Sequence, residues 1–137
     1  MAETVQVVEY FHLEVADRPG EAARALGLLK EAGVNLWGFS GFPKGRRAQL
    51  DFIPADAAAF RRVARTAKWK VTGPKKGFII QGEDRVGAVA DALERLAAAK
   101  INVTATDAVC AGAGRFGALL WVQPADVRRA AKVLGAA

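Results

Sequence analysis

The sequence predicts an α+β fold built from two tandem copies of one βαββαβ unit. The first observation behind this is a duplication. Asp17-Arg18-Pro19-Gly20 opens a segment running through Leu26 and Leu29 to Val34-Asn35-Leu36, and Asp84-Arg85-Val86-Gly87 opens another running through Leu93 and Leu96 to Ile101-Asn102-Val103. Asp17 and Asp84, Leu26 and Leu93, and Asn35 and Asn102 are each 67 residues apart, so no gap interrupts the matched part. The second observation is the order of periodicities. Ala48, Leu50 and Phe52 alternate with Gln49 and Asp51 at the period of a strand, whereas Phe60, Val63, Ala64 and Ala67 recur at helical spacing. The third is length: a repeat of this size is marginal as a lone folder, and two that share a core fit comfortably within 137 residues.

The elements follow in order. Val5 to Val15 is apolar and aromatic and reads as a strand. Asp17 before Pro19 is a helix-start pattern, since aspartate caps and proline suits the first turn, so a helix is expected from about Pro19 to Ala32, stopped by Gly33. Val34 to about Phe42 and Ala48 to Ile53 form a hairpin turned at Pro43-Lys44-Gly45, Pro54-Ala55-Asp56 starts a second helix, and Trp69 to Thr72 is a short fourth strand. The second repeat retraces this path. It has a strand at Gly77 to Gln81, a helix at Gly87 to Ala99, strands at Ile101 to Cys110 and Phe116 to Val122, and a helix begun by Pro124-Ala125-Asp126. Ala137 then leaves it as βαββα, with its fourth strand absent or filled by Trp69 to Thr72 or by a second chain. The expected domains are residues 1–74 and 75–137.

Such units make antiparallel sheets with both helices on one face, the ferredoxin-like arrangement. Phe78-Ile79-Ile80 and Leu119-Leu120-Trp121-Val122 are apolar at both alternating positions, which predicts strands covered on both faces.

Composition narrows the function classes. Hydrophobic residues at 52% and charged residues at 25% describe a globular protein, and no apolar run is long enough to span a bilayer, so a cytoplasmic protein without a membrane partner is expected. The net charge of +6 raises nucleic acid as a partner, but the basic residues lie in short scattered groups such as Lys44-Arg46-Arg47 and Arg61-Arg62-Arg65, which reads as solvated surface and makes nucleic acid unlikely. With Cys110 the one cysteine and His12 the one histidine, neither an intrachain disulfide nor a zinc site of the usual kind can form. No nucleophile pairs with a base, and no phosphate-cradling glycine loop is present, so no catalytic residue, metal or cofactor is expected.

Asp-Arg-Pro-Gly after a first strand, fifteen residues from that glycine to the asparagine of Ala-Gly-Val-Asn-Leu, then a hairpin and a second helix: this pattern resembles the ACT domain, the amino-acid-sensing module attached to enzymes such as phosphoglycerate dehydrogenase and aspartokinase. The second copy keeps Asp84-Arg85, Gly87 and Asn102 but carries Val86 for the proline and Lys100 where glycine is expected. The resemblance implies a stand-alone regulatory or sensor protein, not an enzyme, that binds a free amino acid or similar small ligand and works through a partner enzyme or its own assembly as a homodimer. It places the ligand between the turn after one first strand and the second strand of a neighbouring domain. The candidate residues are Asp17, Arg18, Pro19, Gly20, Asn35, Leu36 and Trp37, with Asp84, Arg85, Val86, Gly87, Asn102 and Val103 in the second copy. Backbone N–H groups near each glycine suit a carboxylate, either aspartate suits an ammonium, and either asparagine offers donor and acceptor. Two pairings are open: Asp17 with Asn102 and Asp84 with Asn35 within one chain, or the same partners between chains. Asp17 and Asp84 also suit simple capping, and Trp37 and Phe39 also suit a core or interface. Gly114-Arg115-Phe116-Gly117 and Lys76-Gly77-Phe78 share features with RNA-recognition strands, so an RNA-binding or structural interaction module is the alternative reading.

Overall fold

The computed structural model describes residues 3–137. In chain order these residues form β1 (Thr4–Ala16), α1 (Glu21–Glu31), β2 (Leu36–Lys44), β3 (Arg47–Pro54), α2 (Ala57–Thr66), β4 (Thr72–Glu83), α3 (Ala88–Ala98), β5 (Val103–Gly112), β6 (Arg115–Val122) and α4 (Val127–Leu134), the last preceded by a 3-10 turn at Pro124–Asp126. The fold is mixed α/β with antiparallel strand pairing. No helix among the described residues is long and apolar enough to cross a membrane.

The chain forms two compact units, and the boundaries between them fall inside strands. One unit is Glu9–Lys75, with strands in the order β2-β3-β1-β4. Its core is Phe11, Leu13, Leu50 and Phe52 from the sheet against Ala25 and Leu29 of α1 and Phe60 and Ala64 of α2. Aromatic contacts organise it. Phe60 stacks on Phe11 with centroids 4.7 Å apart, and Phe52 lies 5.4 Å from Phe39, 5.2 Å from Phe60 and 6.1 Å from Trp69.

The other unit joins Glu3–Val8 to Lys76–Ala137, with strands in the order β1-β4-β6-β5. The fourth-strand position that the sequence leaves open is therefore taken by the start of β1, not by Trp69 to Thr72. Val5 enters the core with Phe78, Ile80, Leu96, Phe116 and Leu120, and the chain end bonds to the same strand, Ala137 N–H donating to the Val5 carbonyl at 3.0 Å. On the opposite face Ile79 and Trp121 are also buried, as the doubly apolar strands predict. Gly77 makes room for that indole: a Cβ there would meet Trp121 ring atoms at 3.1 Å.

Two local expectations change. What reads as two strands, Trp69 to Thr72 and Gly77 to Gln81, is the single strand β4, and Trp69 lies before it. The Trp69 N–H is used to end α2, donating to the Ala64 carbonyl at 2.9 Å while Lys68 adopts a left-handed φ of 59°. This is the turn that usually takes glycine, and Lys100 after α3 does the same with φ 60°. Capping by Asp17 and Asp84 is the second. Helices α1 and α3 begin on Gly20 and Gly87, both left-handed, and no side chain caps either one. Asp56 is the aspartate that caps, accepting from the Ala58 and Ala59 N–H groups at 3.0 and 3.1 Å.

Candidate functional site

In the Glu9–Lys75 unit the turn after β1 stands over β2. A cavity of about 330 Å³ lies between them, walled by Asp17 and Arg18 of the turn, Glu21 and Ala22 of α1, and Phe39, Gly41, Phe42 and Pro43 of β2. Its shape follows from strand parity. Phe39, Gly41 and Pro43 pair with Phe52, Leu50 and Ala48, so all three project to the helix side. Gly41 then leaves the space: a Cβ there would meet Leu50 at 3.3 Å.

Its electrostatics are mixed. Glu21 holds Arg18 at 3.3 Å and Arg24 at 3.4 Å, all three on or beside the first turn of α1. Asp17 is exposed and has no ion pair among the described residues. Gly20, with φ 90°, turns the backbone so that the N–H groups of the first helical turn point out of the helix start. The arrangement thus offers the Asp17 carboxylate, the Arg18 guanidinium shared with Glu21, and the start of α1 around a partly aromatic hollow, which suits a small zwitterion.

The remaining sequence-predicted residues are distributed as follows. Pro19 and Gly20 belong to the same turn. Leu36 packs against the unit's core, and the Asn35 carbonyl accepts from Ala55 N–H at 2.9 Å, so Asn35 is fixed at the far end of β2 and does not line the cavity. Trp37 is 54% exposed at a register irregularity between Leu36 and Gly38 and does not line it either. The aromatic side chain on this wall is Phe39; Phe42 borders the cavity but pairs with Gln49, so its ring projects to the opposite sheet face. Sequence reasoning missed Gly41 and Pro43 as cavity residues, although their alternation with Phe39 along β2 was the available signal.

In the other unit the corresponding turn is clamped. Asp84 accepts from the Cys110 thiol on β5 at 3.0 Å, and its own N–H donates to the Gly114 carbonyl at 2.8 Å. That carboxylate pushes the Cys110 thiol pKa up, so the cysteine is not activated. Arg85 turns away to Asp91 at 2.7 Å, and Val86 is fully exposed. Gly87 starts α3, Asn102 is exposed, and Val103 begins β5 and packs against the core of its unit.

One buried carboxyl lies on the sheet face away from the helices of the first-described unit. Asp51 is 6% exposed, pairs across the strands with His12 and Ser40, and accepts from Gln49 at 3.0 Å. Burial raises its pKa above the ordinary 3.8, outweighing Gln49, His12, Lys75 and Lys44. A folded pKa above the unfolded one means the folded state binds the proton more tightly. Stability is therefore greatest below the unfolded value and falls as pH rises through the folded value. Asp51→Asn is expected to remove this pH dependence and to raise the thermal midpoint at pH 7, read by scanning calorimetry between pH 4 and 8. An unchanged profile would show that Asp51 is ionised in the folded protein at no cost.

Comparison with known proteins places the fold. No protein-family model and no curated protein sequence matches the chain. Solved structures do. A Bacteroides thetaiotaomicron protein superposes with a TM-score of 0.78 at 14% identity, over 96% of this chain and 88% of that one. The ligand-free regulatory subunit of aspartate kinase from Thermus thermophilus gives 0.64 at 15% identity, over 98% and 93%. The corresponding subunit from Thermus flavus gives 0.60 at 18%, over 98% and 94%. The fold is ACT-like. At these identities the likeness concerns the fold alone, and the ACT-like chain has its own turn chemistry, one open turn and one clamped.

Proposed function

We propose that this protein is a non-catalytic regulatory or sensor protein made of two tandem ACT-like repeats, and that it binds a free amino acid at the turn cavity of the Glu9–Lys75 unit. The observation that carries the reading is the cavity itself, where Asp17, Arg18 and the first-turn residues Glu21 and Ala22 of α1 surround a hollow walled by Phe39 and Gly41. The α-carboxylate sits at the helix start with Arg18, the ammonium on Asp17, and an apolar or aromatic side chain lies against Phe39 in the space left by Gly41. Gly20, Pro19 and Arg18 shape the turn. Asn35, being outside the cavity of its own unit, is assigned to a site completed by a neighbouring copy in a homodimer, with Leu36 and Trp37 beside it. The second turn, Asp84 to Gly87 with Asn102 and Val103, is the weaker site, because Asp84 is already engaged by Cys110.

Output then passes through assembly or a partner enzyme. A thermal-shift screen of the proteinogenic amino acids tests the reading, since a ligand that binds only the folded state raises apparent stability. Stabilisation by one or a few apolar or aromatic amino acids is expected. Gly41→Val is expected to abolish the shift, because its side chain enters the hollow, and the ligand-free thermal midpoint of the variant reports separately what the 3.3 Å approach of its Cβ to Leu50 costs the fold. No response to any amino acid would remove the proposal, and a response to RNA oligomers in its place would favour the RNA-binding alternative.

A further inference from the structure

On the other side of α1 the same unit carries a larger cavity, about 570 Å³, bounded by β1 from His12 to Ala16, by Glu21, Arg24, Ala25 and Leu28 of α1, and by the Lys68-Trp69-Lys70 segment and Thr72. It shares Val15, Ala16 and Glu21 with the turn cavity but includes neither Asp17 nor any residue of β2. Its volume is in the range of small-molecule sites.

The charge balance of its wall is one-sided. Four cations, Arg24, Arg47, Lys68 and Lys70, face two carboxylates, Glu14 and Glu21. Both carboxylates are already engaged. Glu14 lies 3.2 Å from Lys44 and 3.6 Å from His12, with its pKa lowered chiefly by the Lys44 hydrogen bond, and Glu21 is shared by Arg18 and Arg24. Lys68 and Lys70 have no ion pair among the described residues. Between them Trp69 is held by stacking on Phe52 and by its N–H bond to Ala64, so the wall is rigid and the left-handed turn fixes where Lys68 leaves the backbone. Leu13, Val15, Ala25 and Leu28 supply an apolar floor.

We infer that this cavity is a second ligand site, and that it takes a small organic dianion, a dicarboxylate or a phosphate monoester, with its negative groups on Lys68 and Lys70 and its carbon skeleton against Trp69. Two unpaired ammonium groups on one rigid segment favour two negative charges over one, and an aromatic wall beside them favours an organic anion over a bare inorganic one. The site does not depend on the amino-acid reading.

The test is an NMR titration of the full chain, following the Trp69 indole N–H resonance, assigned by its loss in Trp69→Phe, with succinate and with phenyl phosphate at constant ionic strength. A saturable displacement by at least one of the two is expected, and the responding compound identifies the acid type. Lys68→Gly and Lys70→Gln are each expected to weaken it tenfold or more; glycine removes the amine and suits the left-handed backbone, so a loss is not a folding defect. No saturable displacement by either compound, an equal displacement by sodium chloride, or an unchanged affinity in Lys68→Gly would overturn the inference. The titration contains no amino acid, so its failure leaves the turn-cavity proposal standing.

Discussion

Phe52→Ala is expected to cost about 3–5 kcal/mol, the range for truncating a fully buried aromatic side chain, and to shift the unfolding midpoint of the Glu9–Lys75 unit to markedly lower urea. Phe52 has 0% exposure and its ring contacts Phe39, Phe60 and Trp69, so its loss opens a cavity at the junction of the sheet, α2 and the segment leading to β4. Against a total stability of about 5–15 kcal/mol for an ordinary domain, that is a large fraction. Urea denaturation of wild type and variant measures it. A cost of about 1 kcal/mol or less would mean that the neighbouring rings collapse into the space, which their fixed stacking argues against.

Val5→Asp is expected to be comparably severe, at about 3 kcal/mol or more, since it loses a buried valine and places a carboxyl among apolar side chains. Val5 is 6% exposed in the core with Phe78, Ile80 and Phe116, in a strand also bonded to Ala137. The effect separates this fold from one in which the second repeat has an open sheet edge. If β1 supplies the fourth strand of the Lys76–Ala137 unit, hydrogen exchange in Val5→Asp speeds up at the amides of Phe78–Glu83 and Phe116–Val122. If exchange there stays at wild-type rates, the start of β1 is dispensable to that unit.

Much of the fold is legible in the sequence because its punctuation is local. Gly33 ends α1, Pro43-Lys44-Gly45 turns the β2–β3 hairpin, and Asp56 caps α2, each through chemistry carried by neighbouring residues. What the sequence hides is long-range. Thr4–Ala16 is one strand whose alternation is broken at Val7-Val8 and Tyr10-Phe11, and no residue type in it tells that Val5 packs with Phe78 while Phe11 packs with Phe60. The αL turns at Lys68 and Lys100 are hidden for a different reason, since lysine carries no sign of the left-handed conformation that glycine advertises.

The candidate site was half legible. Asp17-Arg18 and Gly20 are marked by the duplicated turn, and both Asp17 and Arg18 line the cavity. Its other wall depends on the irregularity between Leu36 and Gly38, which sets Trp37 apart and leaves Phe39, Gly41 and Pro43 facing the helices. A bulge shifts every later side chain relative to a simple count, and no local residue type announces it.

If the turn at Asp17 to Gly20 is open to an amino acid while the turn at Asp84 to Gly87 is held by Cys110, the two aspartates must differ in what their loss costs. Calorimetric titration of the amino acid that stabilises most, into wild type, Asp17→Ala and Asp84→Ala, tests it most directly. A loss of affinity of about tenfold or more is expected in Asp17→Ala, the size for one charge-assisted contact, and a smaller loss in Asp84→Ala. Equal losses in the two variants, or binding that neither substitution alters, would contradict it.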